Sequence, residues 1–301
     1  MHEPTRDDRS RSSMPQIYRL ARRLIDVRRE QQLRWLWSRF VPVAHRSCAE
    51  NVYHCCVWKT ASQWVRNVFS TSDIYRYSGL LPYSYGPHEG RDHRTLQERT
   101  FDKPFPRRRI ITPLYINWES FASLPKPEEF RSFFVVRDPR DLVVSHYFSS
   151  RYSHVENATV LQDRSRLDDL SERDGMVVTL KIMAGRGIFD ALRSWIENSS
   201  ADSRIRVFRF EDLVGPDQLE WMMRLVDHCD IRIPRENLET ILASLSFERL
   251  SGGRKPGDED KRHKYRSGKH GDWKKYFDDD LIQEFRGAAG NLPEILGYHE
   301  G

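Results

Sequence analysis

Cysteine is scarce: Cys48, Cys55, Cys56 and Cys229 are the only four in 301 residues, too few and too irregular for a disulfide framework. No Cys-x-x-Cys pair suggests zinc or redox work, and the adjacent Cys55 and Cys56, inside an apolar run, read as buried free thiols. No run of 18 apolar residues occurs, which leaves no candidate for a membrane-spanning helix. The opening MHEPTRDDRSRSS lacks the apolar core of a secretory signal, so the chain is expected to be soluble and cytoplasmic. Excess charge is equally thin. Forty-nine Lys+Arg against 44 Asp+Glu leave +5, and without a recognised module that excludes a nucleic-acid partner as the working expectation. What is present is core material, 38% hydrophobic and 12% aromatic residues, enough to exclude global disorder. The length would allow two domains, but α/β units often exceed 200 residues, and one large domain is expected.

Residues 1–45 read as a polar tail and a basic amphipathic helix, because Ile17, Leu20, Ala21 and Leu24 recur at helical spacing between arginines and Pro42 then ends the pattern. Packing onto the body of the protein is the common use of such a stripe; peripheral contact with an anionic membrane is the alternative. Residues 46–301 form the expected folded domain. Four apolar runs have strand character: 51–58, 109–112, 132–137 and 204–210, most of them followed by a helical pattern. That alternation predicts an α/β fold with a central parallel sheet and helices on both faces. Segments 73–108 and 150–186 look like excursions outside the sheet, at the carboxyl end of the strands where ligands of parallel sheets bind.

Two strand–turn–helix units carry chemistry. In VYHCCVWKTASQWVRNVF the strand breaks at Lys59-Thr60-Ala61-Ser62 and a helix follows. Free N–H groups and the positive helix end make such a turn an anion site, and Lys59 adds a full charge. A capped helix with a solvated lysine would show the same residues. The turn is P-loop-like, but no glycine precedes the Lys-Thr pair, which argues against an ordinary ATPase. In FFVVRDPRDLVVSHYFSSRYSH, Arg137 ends a strand, Pro139 suits a first helical turn, and Ser145 follows two turns on. Arginine offers bidentate donors to a phosphate, and a serine hydroxyl can complete the cradle; a surface Arg–Asp network is the plainer reading.

Together these motifs resemble the sulfotransferases that use 3′-phosphoadenosine 5′-phosphosulfate (PAPS) as sulfuryl donor. KTASQW is similar to the family's 5′-phosphosulfate turn, with Ala61 at the usual glycine, and Arg137 and Ser145 have the separation of its 3′-phosphate pair. FRFEDL and LSFERL resemble further family segments, which would put Phe210, Phe247 and Trp64 near the adenine. YRSGKHGDWKKYF resembles the element covering the 3′-phosphate, where Arg266 and Gly268 match and Ser267 replaces a lysine. The likeness runs from about 52 to 280. It implies sulfuryl transfer from PAPS to a hydroxyl, or an amine, with Lys59 and the amides of Thr60, Ala61, Ser62 and Gln63 holding the phosphosulfate. No metal is expected, since fixed cations can serve a sulfuryl group. Residues 254–275 hold nine Lys/Arg against four acids and several glycines, which predicts a flexible basic flap.

One departure matters. Pro113 stands where the cytosolic members carry a catalytic histidine. A replacement base could be Glu119, which is favoured because it follows the same strand end, or His88, His93 or His146. A catalytically inactive nucleotide-binding relative and a P-loop kinase remain as rivals. The acceptor, a small molecule, carbohydrate or lipid headgroup, and the oligomeric state have no signal in the sequence.

Overall fold

A computed structural model describes residues 40–85, 95–154 and 156–298. Five strands, β1 (Asn51–Cys56), β2 (Leu81–Tyr83), β3 (Arg109–Tyr115), β4 (Phe130–Val136) and β5 (Ile205–Arg209), pair in parallel in the order β2-β3-β1-β4-β5. The chain winds from central β1 out to one edge, then crosses back to build the other. The carboxyl end of β1 therefore lies where the winding reverses, the place where open parallel sheets bind ligands. The predicted strands recur in the sheet with shifted ends. β2 departs from the sequence expectation, since it lies inside 73–108, the segment expected to be an excursion outside the sheet. It is a three-residue edge strand, LPY, and only an edge tolerates Pro82, which has no N–H for a ladder.

Helices cover both faces. On one face, α1 (Ser62–Phe69) and α7 (Gln218–His228) bury Val65, Val68, Phe69, Met222, Leu225 and Val226 against Val52, Phe133 and Val135. On the other lie α2 (Trp118–Ser123), α3 (Pro139–Phe148), α4 (Ala158–Leu167), α5 (Glu172–Gly185), α6 (Ile188–Asn198) and α8 (Asp279–Ala289), which meet Tyr53, Cys55 and Phe134. Tyr53 and Cys55 alternate with Val52 because successive strand side chains point to opposite faces. Trp195 anchors the second face, stacked on Phe134 at 4.6 Å with its indole N–H donating to the Ile116 carbonyl at 2.9 Å. Residues 150–186 do lie outside the sheet, but mostly as helix. Among the described residues no helix is long and apolar enough to cross a membrane. The basic helix expected before residue 40 lies outside the described residues. All four cysteines are free; Cys55, Cys56 and Cys229 are buried, while Cys48 is exposed.

β3 gains an extra residue opposite β1: Tyr53 pairs with Ile111 but Cys55 with Leu114. Pro113, lacking an N–H, falls within that bulge. Beside it, fully buried His54 stacks on Phe133 at 4.9 Å, and its Nδ1 lies 2.8 Å from Thr112 Oγ1 while its Nε2 has no partner. Burial lowers its pKa from 6.5 to about 3. The folded state therefore resists a proton that the unfolded chain accepts, and stability is lost as pH falls from 6.5 towards 3, by about 1.4 kcal/mol per unit. Urea unfolding of His54→Gln at pH 7 and pH 5 is expected to show a loss on acidification smaller than the wild type's by about 2 kcal/mol. An identical loss in both proteins would take His54 out of the acid sensitivity.

Candidate functional site

The turn after β1 is shaped by two left-handed residues, Lys59 (φ 73°) and Ala61 (φ 57°). A non-glycine residue pays roughly 1–2 kcal/mol to adopt that conformation. Left-handed residues in a turn are the kind that gather successive backbone N–H groups into an anion-binding concavity. Ala61 is the N-cap of α1 with no side chain capping it, so the first N–H groups, on Ser62 and Gln63, have no partner within the helix. Thr60 Oγ1 ties the turn down by donating to the Val57 carbonyl at 2.9 Å. Half-buried Lys59 has its pKa lowered to about 8, first by burial and then by the positive charges of Arg137, Lys264 and Arg266.

Those arginines come from the two other expected elements. Arg137 follows β4, the neighbour of β1, and Asp138 caps α3 by accepting from the Arg140 N–H at 2.9 Å. The Arg137 guanidinium, only 8% exposed, donates to the Lys59 carbonyl at 3.2 Å and lies 4.6 Å over the Phe210 ring. Its Asp141 contact is long, 3.8 Å, and its Nε is buried without a partner. Ser145, two turns along α3, is half-buried. Phe210 does not end a strand as expected but opens a short helix, 210–214. The next residue, Glu211, accepts from the Asp138 N–H at 3.1 Å and from the Tyr298 hydroxyl at 2.5 Å.

The aromatic and C-terminal motifs meet on the far side of the turn. Trp64 Nε1 donates to the Leu245 carbonyl at 3.0 Å, two residues before Phe247. Gly268 (φ 65°) approaches Phe247 so closely that a Cβ there would stand 2.4 Å from the ring. Arg266 pairs with Glu259 and with Asp272, the latter at 2.7 Å, and the Ser267 hydroxyl also meets Asp272. Asp141 accepts from the Gly271 and Trp273 N–H groups at 2.6 and 2.9 Å, and Arg140 lies 3.7 Å over the Trp273 ring. The expected flap is thus a hydrogen-bonded irregular segment, with Arg254 donating to the carbonyls of Asp258 and Arg266, both at 2.8 Å.

The candidate bases fare differently. Glu119 does not join this cluster: Asn117 accepts from the Ser120 N–H at 3.0 Å to start α2, whose Trp118 packs on Trp195, and Glu119 is left exposed. His88 and His93 lie outside the described residues. His146, next to Ser145, does join it. Its Nε2 is buried with no partner, and its pKa falls to about 3 through burial, then the charges of Lys59, Arg186 and His154. Sequence reasoning missed Tyr115, whose hydroxyl lies 2.8 Å from Ser62 Oγ and 3.5 Å from Gln63 Nε2. No periodicity marks it, because the bulge at Pro113 breaks the strand's alternation just before Tyr115. Among the described residues no group of three His, Cys, Asp or Glu side chains could hold a metal ion.

Residues 96–291 match a family model described as a sulfotransferase domain. The match begins after the Lys59 turn. No curated protein sequence matches the chain significantly. Among solved structures, mouse sulfotransferase SULT7A1 complexed with PAP is 17% identical with a TM-score of 0.56, covering 85% of this chain and 92% of that one. Retinol dehydratase in complex with androsterone and inactive cofactor PAP is 14% identical, TM-score 0.51, covering 81% of each chain. The same enzyme with retinol and PAP is 17% identical, TM-score 0.51, covering 83% and 82%. At these identities the likeness is one of fold.

Proposed function

The chain belongs to the sulfotransferase family, and from that premise we propose that it moves a sulfuryl group from PAPS to the hydroxyl of a small acceptor. One observation carries the donor assignment: the Arg137 guanidinium reaches the Lys59 carbonyl at 3.2 Å. Two anion-binding elements 78 residues apart in sequence thus converge on one place at the carboxyl edge of the sheet. Lys59 and the free amides of the turn suit the 5′-phosphosulfate. Arg137 and Ser145, with Arg266 and Ser267 opposite, suit the 3′-phosphate, while Trp64, Phe210 and Phe247 supply ring faces for the adenine. The buried, unpartnered Nε of Arg137 fits an anionic ligand, because buried polar groups rarely lack a partner.

The chemistry asks the protein for two things: charge opposite the departing phosphate oxygen, which Lys59 supplies, and a proton acceptor for the attacking hydroxyl. We assign the latter to His146, which among the described candidate bases is the one acted on by the charge of Lys59. Trp58, 6.3 Å from the Tyr115 ring, and nearby Tyr85 suit a hydroxyl carried on a flat apolar body. Two of the structural relatives are complexes with such compounds, retinol and androsterone.

3′-Phosphoadenosine 5′-phosphate (PAP) is expected to raise the melting temperature far more than ATP with Mg²⁺. Ligand at 100 times its dissociation constant adds about 2.7 kcal/mol. Arg137→Ala is expected to weaken PAP binding by about 1.5–3 kcal/mol, the worth of hydrogen bonds to a charged group. Equal shifts with ATP would favour a kinase instead.

A further inference from the structure

The geometry points to Tyr115 as the residue that holds the acceptor hydroxyl at the transfer site, an assignment that rests on the sulfotransfer reading. Three observations converge. Tyr115 is the last residue of β3, paired with Cys56 at the carboxyl end of β1, where the Lys59 turn begins. It stands two residues beyond Pro113, one step nearer the site on the same strand. Its phenol reaches the donor turn itself, 2.8 Å from Ser62 Oγ and 3.5 Å from Gln63 Nε2.

The backbone of Tyr115 is tied on both sides. Buried Arg99 donates to the Tyr115 carbonyl at 2.8 Å, the Tyr115 N–H meets the Tyr85 hydroxyl at 3.4 Å, and the ring lies against Trp58. Burial pushes the Tyr115 pKa up to about 12, so the phenol stays protonated and is no base. A phenol oxygen has two lone pairs, and the Gln63 amide donates to only one of them. With its proton on Ser62 Oγ, it can accept from an acceptor's O–H and hold that oxygen against the donor's sulfur.

In the resulting step the acceptor oxygen forms a bond to sulfur and the sulfur–oxygen bond to the 5′-phosphate breaks. That electron pair stays on the phosphate oxygen beside Lys59, and the acceptor's proton passes to His146 Nε2. Tyr115 keeps its own proton throughout.

The test compares wild type, Tyr115→Phe and Ser62→Ala, with radiolabelled PAPS as donor and 4-nitrophenol as the probe acceptor. Tyr115→Phe keeps the ring and deletes the oxygen. It is expected to lower kcat/KM for transfer roughly 10- to 100-fold, the cost of one lost bond and a loosened attack geometry. Binding of 4-nitrophenol to PAP-loaded protein should weaken about tenfold, while PAP affinity stays unchanged. Water, read as released inorganic sulfate, should follow the same order. If Tyr115→Phe instead weakens PAP as Ser62→Ala does, with the double variant no worse, the phenol serves only the donor turn and the proposal falls. It falls equally if the variant matches wild type in every readout. A wild type that neither binds PAP nor transfers label to 4-nitrophenol or water would overturn the sulfotransfer reading itself.

Discussion

His146→Gln is expected to lower kcat by about 10² to 10⁴, the usual worth of a general base, with PAP affinity intact. The ring is neutral in the free protein because it is buried and the groups acting on it, Lys59, Arg186 and His154, are cationic or become so on protonation. A pKa of about 3 makes a weak base. Donor binding changes that, because several phosphate and sulfate charges arrive beside Lys59 and favour the protonated ring, raising its pKa. His146 is thus a poor base until the donor is present and a better one afterwards. The measurement is kcat at saturating PAPS across pH: wild type should lose activity as pH falls and His146 protonates, and His146→Gln should lose that limb. Glu119→Gln is the control. If that variant loses turnover while His146→Gln does not, the exposed carboxylate is the base.

Lys59→Met is expected to cost about 10² to 10³ in kcat, the cost of removing one donor from a developing oxyanion. Because the charge is needed most as the bridging oxygen becomes negative, kcat and kcat/KM should fall together. A second readout follows from the lysine's pKa of about 8 in the free protein. Above that pH the free protein has lost the Lys59 proton, and binding an anion must restore it. PAP affinity should therefore fall as pH rises past 8, by up to about tenfold per unit, and Lys59→Met should abolish that dependence. Titration calorimetry at pH 7 and pH 9 checks it. A loss confined to KM would leave Lys59 as an anchor only.

The parts of this site legible in the sequence were those set by local rules. A buried strand that stops at a lysine-led polar turn before an amphipathic helix announces an anion site, and Arg137 before a proline-started helix does the same; both elements lie at one edge of the sheet. The rest depended on register and packing. β2 is three residues long and contains a proline, so no periodicity marks it. Tyr115 was hidden because β3 runs three residues past the apolar run RIIT, through a proline that reads as a strand breaker but is absorbed by a bulge. Glu119 looked like a strand-end residue, whereas the Asn117 cap turns the chain into helix and aims it at solvent. The neutrality of His146 comes first from burial and then from the charges of Lys59, Arg186 and His154, which no local pattern relates to it.

Asp141 gives the site an order of assembly. Its two bonds to Gly271 and Trp273 span 130 and 132 residues of chain. Closing a loop of that length costs about 4 kcal/mol in chain entropy, which is about what two bonds to a carboxylate contribute. The two bonds therefore leave little net stability of their own, and the clasp is held mainly by the sheet and helices that bring its ends together. During synthesis, which proceeds from the N-terminus, the Lys59 turn and Arg137 leave the ribosome long before Arg266 and Trp273 do. The nascent protein thus passes through a stage in which the Lys59 turn and Arg137 are present without residues 254–275, and the proposed nucleotide site is completed only when those follow.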